Sequence, residues 1–578
     1  MQSIYDIAEI CAQKGIDTVV ISPGSRSAPL VLAFARHPRI EKHVVVDERC
    51  AAYMAVGMAQ TSGKPVALVC TSGTAALNFA PAVAEAYYLG VPLLVLTADR
   101  PLEWVDQADG QTIRQQNVYG SHVKRSYQLP SDFSHADSHW FVNRILNEAI
   151  NIAFSPLQGP VHVNVPLREP LYPAEDVSIH YSGVRILKRT NTYAKIHPTD
   201  WEEMKYEFNS AEKKLLILGQ HGYSQEFTKE LRVFVESSSI PLVADVTANA
   251  HFLKGDFVRH QDLFLAHLTP EQLASLQPDM LISMGGSLVS KHLKLFLRKF
   301  KPSIHWHVSE GEQSPDTFRT LTRHIPTSPF AFLKKANRTA SGLDTDRNEG
   351  FEYLWHGANK IIGLKLKEYQ TEMAFSDFAA TSQLLPLLPA NSILHVSNSM
   401  AIRYVNFLGI HKTVEVYCNR GTSGIDGCLS TAIGTALKTS KQVTLLIGDL
   451  AFFYDSNALF QESLPDNLKI VVLNNRSGNI FRVIDGPSHL PEGEKYFETK
   501  HHRSVQFLVA GFGIPYLQAN EGSALKKSIQ ELFNHPSTAV LEIHTDAQQN
   551  VQALKGFAHY LQSGSKGVEA VNGAGQRP

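Results

Sequence analysis

Two strand-like runs of this chain end in residues that could hold a hard cation. QVTLLIGD closes on Gly448-Asp449, and LKIVVLNN closes on Asn474-Asn475, which puts Asp449 and Asn475 26 positions apart. Mg²⁺ takes six oxygens in an octahedral array and is commonly shared between a carboxylate and phosphate oxygens. Asp449 can supply the anionic oxygen, Asn475 an amide oxygen and the backbone carbonyl of Ser477 a third. The plainer alternative is that Gly-Asp and Asn-Asn only turn the chain at two strand ends. A second acid, Glu48, lies in HVVVDERCAAYMAVGMAQ, at the end of a buried-strand pattern and the start of a helical one. At a helix N-terminus an acid is worth about 0.3–1 kcal/mol through the helix dipole. Buried against a group that shares its proton, it would instead have a raised pKa.

Arginines recur in the same kind of place. Arg26 follows DTVVISPGS, Arg100 follows VPLLVLTAD, Arg420 follows VEVYCN, and Arg403 lies four residues beyond Ser399 in SNSMAIR. One loop arginine is ordinarily a solvated charge. Several of them after strands, each with a planar fork that matches a carboxylate, suit small carboxylate ligands.

The elements that must position these residues repeat three times. DTVVIS (17–22), HVVVDE (43–48), PVALVC (65–70), VPLLVLTA (91–98) and PVHVNVP (160–166) are continuous apolar runs separated by helical patterns. Strands buried on both faces read this way, as in a parallel sheet covered by helices. After a polar stretch at 178–200 the pattern resumes with KLLILGQ, IPLVADVT, DMLISMGG and SIHWHVSE. After a second polar stretch at 336–350 it starts again with NSILHVSNS, VEVYCNRG, QVTLLIGD, LKIVVLNN and STAVLEIHT. The expected fold is therefore α/β, with three doubly wound parallel-sheet domains at 1–178, 190–340 and 351–562. The small, polar residues 563–578 are expected to be a disordered tail. In such sheets ligands sit beyond the carboxyl ends of the strands, where the residues above fall.

Composition narrows the class. The 578 residues include 54 Lys plus Arg against 55 Asp plus Glu, a balance without the basic excess of a nucleic-acid binder. The five cysteines form no Cys-x-x-Cys pair, so neither a disulfide framework nor a zinc ribbon is expected. The N-terminus reads as an amphipathic helix without a signal-peptide pattern, and no apolar run has the length of a membrane span. A cytoplasmic protein is expected. In the middle unit, LILGQHG and LISMGGS lack the G-x-G-x-x-G pattern of a dinucleotide site. His501-His502 lie in a polar stretch that reads as a loop.

The Gly-Asp…Asn-Asn pair is similar to the metal–diphosphate signature of thiamine diphosphate enzymes, with Leu450 where many members carry Gly. SPGSRSAPL (22–30), VDER (46–49), CTSGTAALN (70–78), TADRP (97–101), QTIRQ (111–115), SNSMAIR (397–403) and NRGTSGIDG (419–427) narrow this further. They resemble the 2-succinyl-5-enolpyruvyl-6-hydroxy-3-cyclohexene-1-carboxylate synthases of menaquinone biosynthesis. The resemblance implies a pyrimidine-binding first domain and a diphosphate-binding third domain. It implies thiamine diphosphate with Mg²⁺ or Mn²⁺ as cofactors, and no FAD is expected on the middle domain. The reaction implied is decarboxylation of 2-oxoglutarate and addition of the succinyl carbanion equivalent to isochorismate.

By the same resemblance Glu48 hydrogen-bonds the aminopyrimidine ring of the cofactor and is the catalytic acid. Ser399, Ile425, Asp449, Asn475 and Ile480 hold the cofactor, with Ile425 as the apolar wedge, and Asp449, Asn475 and Ser477 hold the metal. Substrate positions are Ser25, Arg26, Arg100, Gln111, Lys291, Ser399, Arg403, Arg420, Phe481 and Ile484. Core packing is the alternative for Ile425, Ile480, Phe481 and Ile484. A homodimer or homotetramer with shared sites is implied, since Glu48 and Asp449 lie on different units. Two positions depart from the family pattern: His292 stands where Arg is expected, and Gly110 where Asn is frequent. The competing readings are another thiamine diphosphate-dependent 2-oxoacid decarboxylase or acetolactate synthase-type carboligase, and a non-enzymatic binding protein on the same scaffold.

Overall fold

In the computed structural model the described residues are 2–563, apart from 156, 174–178, 191–194, 254, 256, 312, 339–347 and 485–486. Ser563 ends helix Ala547–Ser563 and is not part of a tail, while the rest of the expected tail lies outside the described residues, as does most of the polar stretch at 336–350. Three wholly parallel sheets account for the strands. The first holds β1 (Thr18–Ile21), β2 (Glu41–Val44), β3 (Val66–Cys70), β4 (Leu93–Asp99), β5 (Ser126–Gln128) and β6 (Val161–Pro166). The second holds β7 (Lys214–Leu218), β8 (Leu242–Ala244), β9 (Met280–Met284), β10 (Ile304–Val308) and β11 (Arg323–Ile325). The third holds β12 (Ser392–Val396), β13 (Val414–Tyr417), β14 (Val443–Gly448), β15 (Leu468–Asn474), β16 (Tyr516–Ala519) and β17 (Ala539–His544).

The first and third sheets have the same topology. Their orders are β2-β1-β3-β4-β6-β5 and β13-β12-β14-β15-β17-β16, one pattern executed twice. Each order reverses direction beside its first strand, between β1 and β3 and between β12 and β14. A crevice opens at such a reversal because successive helices leave to opposite faces. The loops at those two points carry Ser22–Ser27, Thr71–Gly73, Ser397–Ser399 and Gly448–Asp449.

The continuous apolar runs form buried strands: β3, β4, β6 and β7 are buried at every residue. The run at 43–48 does not. Its strand, β2, is an exposed edge spanning Glu41–Val44, and Val44 and Val46 are 61% and 57% exposed. Short edge strands β5, β11 and β16 were not expected, because their half-exposed polar residues form no apolar run. In LILGQHG and LISMGGS, Gly219 and Gly285 serve backbone packing. A Cβ on Gly219 would lie 2.1 Å from the Gly286 carbonyl oxygen, so only glycine lets the loops after β7 and β9 touch.

The first and third units share one hydrophobic core. It contains Val20, Leu68 and Val95 from the first sheet and Leu445, Ile470 and Val472 from the third. Between them helix Glu48–Ser62 crosses helix Cys428–Leu437 at glycines. A Cβ on Gly57 would sit 2.0 Å from the Thr431 carbonyl oxygen, and one on Gly434 2.0 Å from that of Met54. The two backbones therefore touch. No described helix is long and apolar enough to cross a membrane.

Candidate active site

The metal-motif residues leave adjacent parallel strands at one level. β14 pairs with β15 with Gly448 opposite Leu473, so Asp449 and Asn475 emerge side by side beyond the strand ends. Asp449 is 3% exposed and opens helix Asp449–Tyr454, where the helix dipole favours its charge. Asn475 donates from Nδ2 to Asp377 Oδ2 at 2.7 Å. An ionised carboxylate only accepts, so this bond turns the amide oxygen the other way, toward the Ser477 N–H at 3.1 Å. Burial, helped by the charge of Asp449, raises the Asp377 pKa to about 6 against lowering contacts from Thr545 and Asn475.

Two residues of this corner had no role in the sequence reading. His501 does lie in a loop, but its Nε2 is 3.1 Å from Asp449 Oδ2 and its ring stands edge-on to Phe453 at 5.3 Å. Asn479 is 3% exposed, and neither atom of its amide has a partner. Asn479 and His501 could have been flagged only as polar residues near a strand end, a signal too common to select them.

This corner fits a cation held with a diphosphate. Among the described residues no three His, Cys, Asp or Glu side chains cluster as metal ligands. The donor set is instead one carboxylate, one amide and one carbonyl, the mixture that leaves a hard cation to phosphate oxygens. The unpartnered Asn479 amide beside it is a buried polar group that a polar ligand would satisfy. Ile425 is 39% exposed on the loop before helix Cys428–Leu437, not packed into the core. Ile480 packs against a core cluster, and Phe481 stacks obliquely on Phe497 at 5.7 Å, with Ile484 half-buried at the helix end.

The basic residues form two groups. Arg403 donates to the Ser399 carbonyl at 2.5 Å, and its pKa is lowered first by burial and then by the charge of Arg420. Arg420 donates to Asn398 Oδ1 at 3.0 Å, and its Nε is buried without a partner. Ser399 has φ +72°, ψ −129°, a region glycine favours, and this strained turn swings the helix bearing Arg403 out of β12. The arginine loop is clamped from the first unit. Glu85, fully buried, accepts from the Gly421 N–H at 2.8 Å and from the Thr422 N–H and hydroxyl, each at 2.6 Å.

In the first unit Arg26 is 5% exposed and donates to the Leu167 carbonyl at 3.0 Å, with Glu169 at 3.4 Å. Ser25 beside it is exposed. Arg100 reaches Asp109 at 3.1 Å and the Gly110 carbonyl at 3.0 Å. Gln111 is exposed at φ +55° and its Cα lies 3.3 Å from where a Gly73 Cβ would be. Beneath these loops runs a buried amide chain. Gln115 accepts from the Gly73 N–H at 2.8 Å and donates to Asn164 at 3.0 Å, and Asn164 donates to Asp99 at 2.7 Å. The Ser22, Thr71 and Ser72 hydroxyls above it are buried without partners.

Lys291 is exposed at the start of helix Lys291–Lys299. His292 is engaged: its backbone N–H and Nδ1 meet Asp262 Oδ1 at 2.7 and 3.2 Å. The imidazole at the departing position is thus tied to an acid of the same unit.

Glu48 stands apart from the metal motif within one chain. It is half-buried at the first position of its helix, capped by Asp47, with Asn78 Nδ2 donating to it at 3.3 Å. The groove of about 640 Å³ around it is lined by Val46, Arg49, Asn78, Asn457, Phe460 and Phe512 among others, and by none of Asp449, Asn475 or Ile425.

Comparison with known proteins follows this division of labour. Residues 4–118 match the thiamine pyrophosphate enzyme N-terminal TPP binding domain, and residues 397–543 match the C-terminal TPP binding domain of the same enzymes. Residues 189–395 match the middle domain of thiamine pyrophosphate enzymes. A protein of Cytophaga hutchinsonii named 2-succinyl-5-enolpyruvyl-6-hydroxy-3-cyclohexene-1-carboxylate synthase is 42% identical over 97% of this chain and 99% of its own length. Proteins of the same name from Flavobacterium psychrophilum and Desulfotalea psychrophila are 39% and 38% identical, over 95% and 94% of this chain and 97% and 98% of their own lengths. The chain belongs to the thiamine diphosphate-dependent enzymes, in the family of the 2-succinyl-5-enolpyruvyl-6-hydroxy-3-cyclohexene-1-carboxylate synthases.

Proposed function

We propose that this enzyme decarboxylates 2-oxoglutarate and joins the remaining four-carbon unit to isochorismate, in menaquinone biosynthesis. The observation that carries the reading is the paired arginines, Arg403 and Arg420, converging beside Ser399 with a buried guanidinium N–H left unpartnered. Both substrates are dicarboxylates, and a forked cation held in a dry crevice binds such groups best.

Asp449, Asn475 and the Ser477 carbonyl would hold Mg²⁺ or Mn²⁺, with Asp377 fixing the Asn475 amide. Ser399, Ile425 and Ile480 would line the cofactor. Thiamine diphosphate, when bound, supplies the electron sink for the charge left as carbon dioxide departs. Glu48 would hydrogen-bond the pyrimidine ring from the first position of its helix, where Asn78 Nδ2 also donates to it. Arg26, Arg100, Gln111, Lys291, Arg403 and Arg420 orient the carboxylates, Ser25 adds a hydroxyl, and Phe481 and Ile484 form the apolar wall. The units at 1–178, 190–340 and 351–562 act as pyrimidine-binding, central and diphosphate-binding domains.

We infer that the working unit is at least a dimer, in which Glu48 of one chain faces Asp449 of another. Exposed Val44, Val46 and Phe460 around Glu48, 61%, 57% and 62% exposed, suit a covering partner. Mixing Glu48→Gln and Asp449→Ala chains under subunit exchange should restore about a quarter of the sites by random pairing in a symmetric dimer. No recovery after proven exchange would refute shared sites. A cytoplasmic location agrees with five buried, unpaired cysteines.

The direct test is an assay with 2-oxoglutarate, isochorismate, thiamine diphosphate and Mg²⁺. Carbon dioxide release should be slow with 2-oxoglutarate alone and accelerate when isochorismate is added. Conversion of pyruvate to acetolactate instead would assign the enzyme to the other carboligases.

A further inference from the structure

A cleft of about 850 Å³ lies away from the proposed active site, where the central unit, helix Glu349–Glu372 and the end of helix Met400–Leu408 meet. Its lining contains Arg259, Lys360, Lys367, His411 and Lys412 and, among the described residues, no Asp or Glu. Leu366 and Leu408 contribute apolar surface to it. On that long helix Glu352 meets His356, itself in the cleft lining, at 3.6 Å, and Glu368 accepts from the Tyr560 hydroxyl at 2.8 Å. Lys412 spends one donor on the Leu388 carbonyl at 2.8 Å, while the exposed Lys360 and Lys367 sit at one rim.

The positive field is felt inside the cleft. His260, 6% exposed, has a pKa of about 4, lowered first by burial and then by Arg259, His411 and Lys367, against the raising bond to the Phe407 carbonyl. Arg259 and His411 are themselves in contact, Nη1 to Nδ1 at 2.9 Å. Arg259, Lys360, Lys367 and Lys412 gathered in a concave site focus positive potential on an anion that enters.

We propose that this cleft is a binding site for a small polyanion, a phosphorylated or polycarboxylate molecule. Its volume is that of a small-molecule site, and the chain as a whole, at net charge −1, lacks the extended basic track of a nucleic-acid binder. Helix Met400–Leu408 runs from Arg403 to this cleft, so an occupant touches the far end of the element that places that arginine.

The test uses the full chain saturated with thiamine diphosphate and Mg²⁺. Inorganic phosphate and tricarballylate are titrated separately by calorimetry, with KCl at matched ionic strength as control. One of the two anions should bind once per chain, and Lys360→Ala/Lys367→Ala should weaken it at least about tenfold, as expected for losing charge-assisted contacts. Melting temperature and turnover without the anion should be unchanged in that variant. The arm that binds identifies the ligand as phosphoryl or polycarboxylate. Binding no stronger than KCl, equal binding by the variant, or a change of particle mass in the variant on light scattering would overturn the proposal, the last by making the cleft a subunit contact.

Discussion

Replacing Gly434 with alanine tests how the first and third units are held together. In an isolated helix the change gains about 1 kcal/mol, because glycine is the poorer helix former. Here the added Cβ would lie 2.0 Å from the Met54 carbonyl oxygen and 2.9 Å from the Met54 Cα. Real Cβ atoms essentially never come closer than 3.0 Å, and the obstacle is backbone, which cannot rotate away. The Glu48 helix must therefore shift by about 1 Å, with overpacking that typically costs 1–3 kcal/mol. The steric term offsets the helix gain, and Gly434→Ala should lower stability by up to about 2 kcal/mol net. Because Glu48 opens the displaced helix, turnover should fall too, by up to about 100-fold for a 1 Å error at a reacting group. Urea unfolding and steady-state turnover, measured beside Gly357→Ala, provide the check. Nothing lies within 4 Å of a Gly357 Cβ, so that change should stabilise by about 0.5–1 kcal/mol. If Gly434→Ala is as stable and as active as the parent, the two helices are not in backbone contact and the reasoning fails.

Other perturbations follow from contacts between distant segments. Glu85→Ala strips the acceptor from the Gly421 and Thr422 N–H groups and should cost about 2–4 kcal/mol. Glu85→Gln, which keeps one acceptor, should retain the fold and raise KM for the carboxylate substrates while thiamine diphosphate affinity holds; unchanged KM would detach Glu85 from Arg420. Gln115→Leu removes the link between Gly73 and Asn164, and should impair substrate binding more than cofactor binding when both are titrated. Asp455 is buried, accepts from Ser430 and Cys50, and has a pKa raised by burial from 3.8 to about 6. The folded state then holds this proton more tightly than the unfolded chain, so its contribution to stability declines as pH rises from about 4 to 6. The melting-temperature advantage of the parent over Asp455→Asn should shrink from pH 4.5 to pH 7; growth of that advantage with pH would contradict the assignment.

Much of the fold was legible because burial on both faces leaves a simple trace. Strands such as β4 and β15 are apolar at nearly every position, and the helical patterns between them imply parallel crossovers. The edges were not legible: β5, β11 and β16 are short and half-solvated, while Val44 and Val46 read as buried yet lie exposed at the β2 edge. Local apolar pattern reports that a residue favours burial, not which neighbour covers it.

For the site, the sequence by itself determined which residue types stand after the strands: Asp449 and Asn475, the arginines, and Glu48 at a helix start. Their chemistry depends on local identity and spacing, which the chain carries directly. Only the tertiary structure decided that two sheets of identical order bring those loops to matching crevices. It also decided that Asp377 turns the Asn475 amide, that Glu85 clamps the Arg420 loop from 336 residues away, and that the groove around Glu48 does not include the metal motif. Such contacts join segments far apart in sequence, and an acid in a helical pattern looks the same whether it meets water or a buried loop.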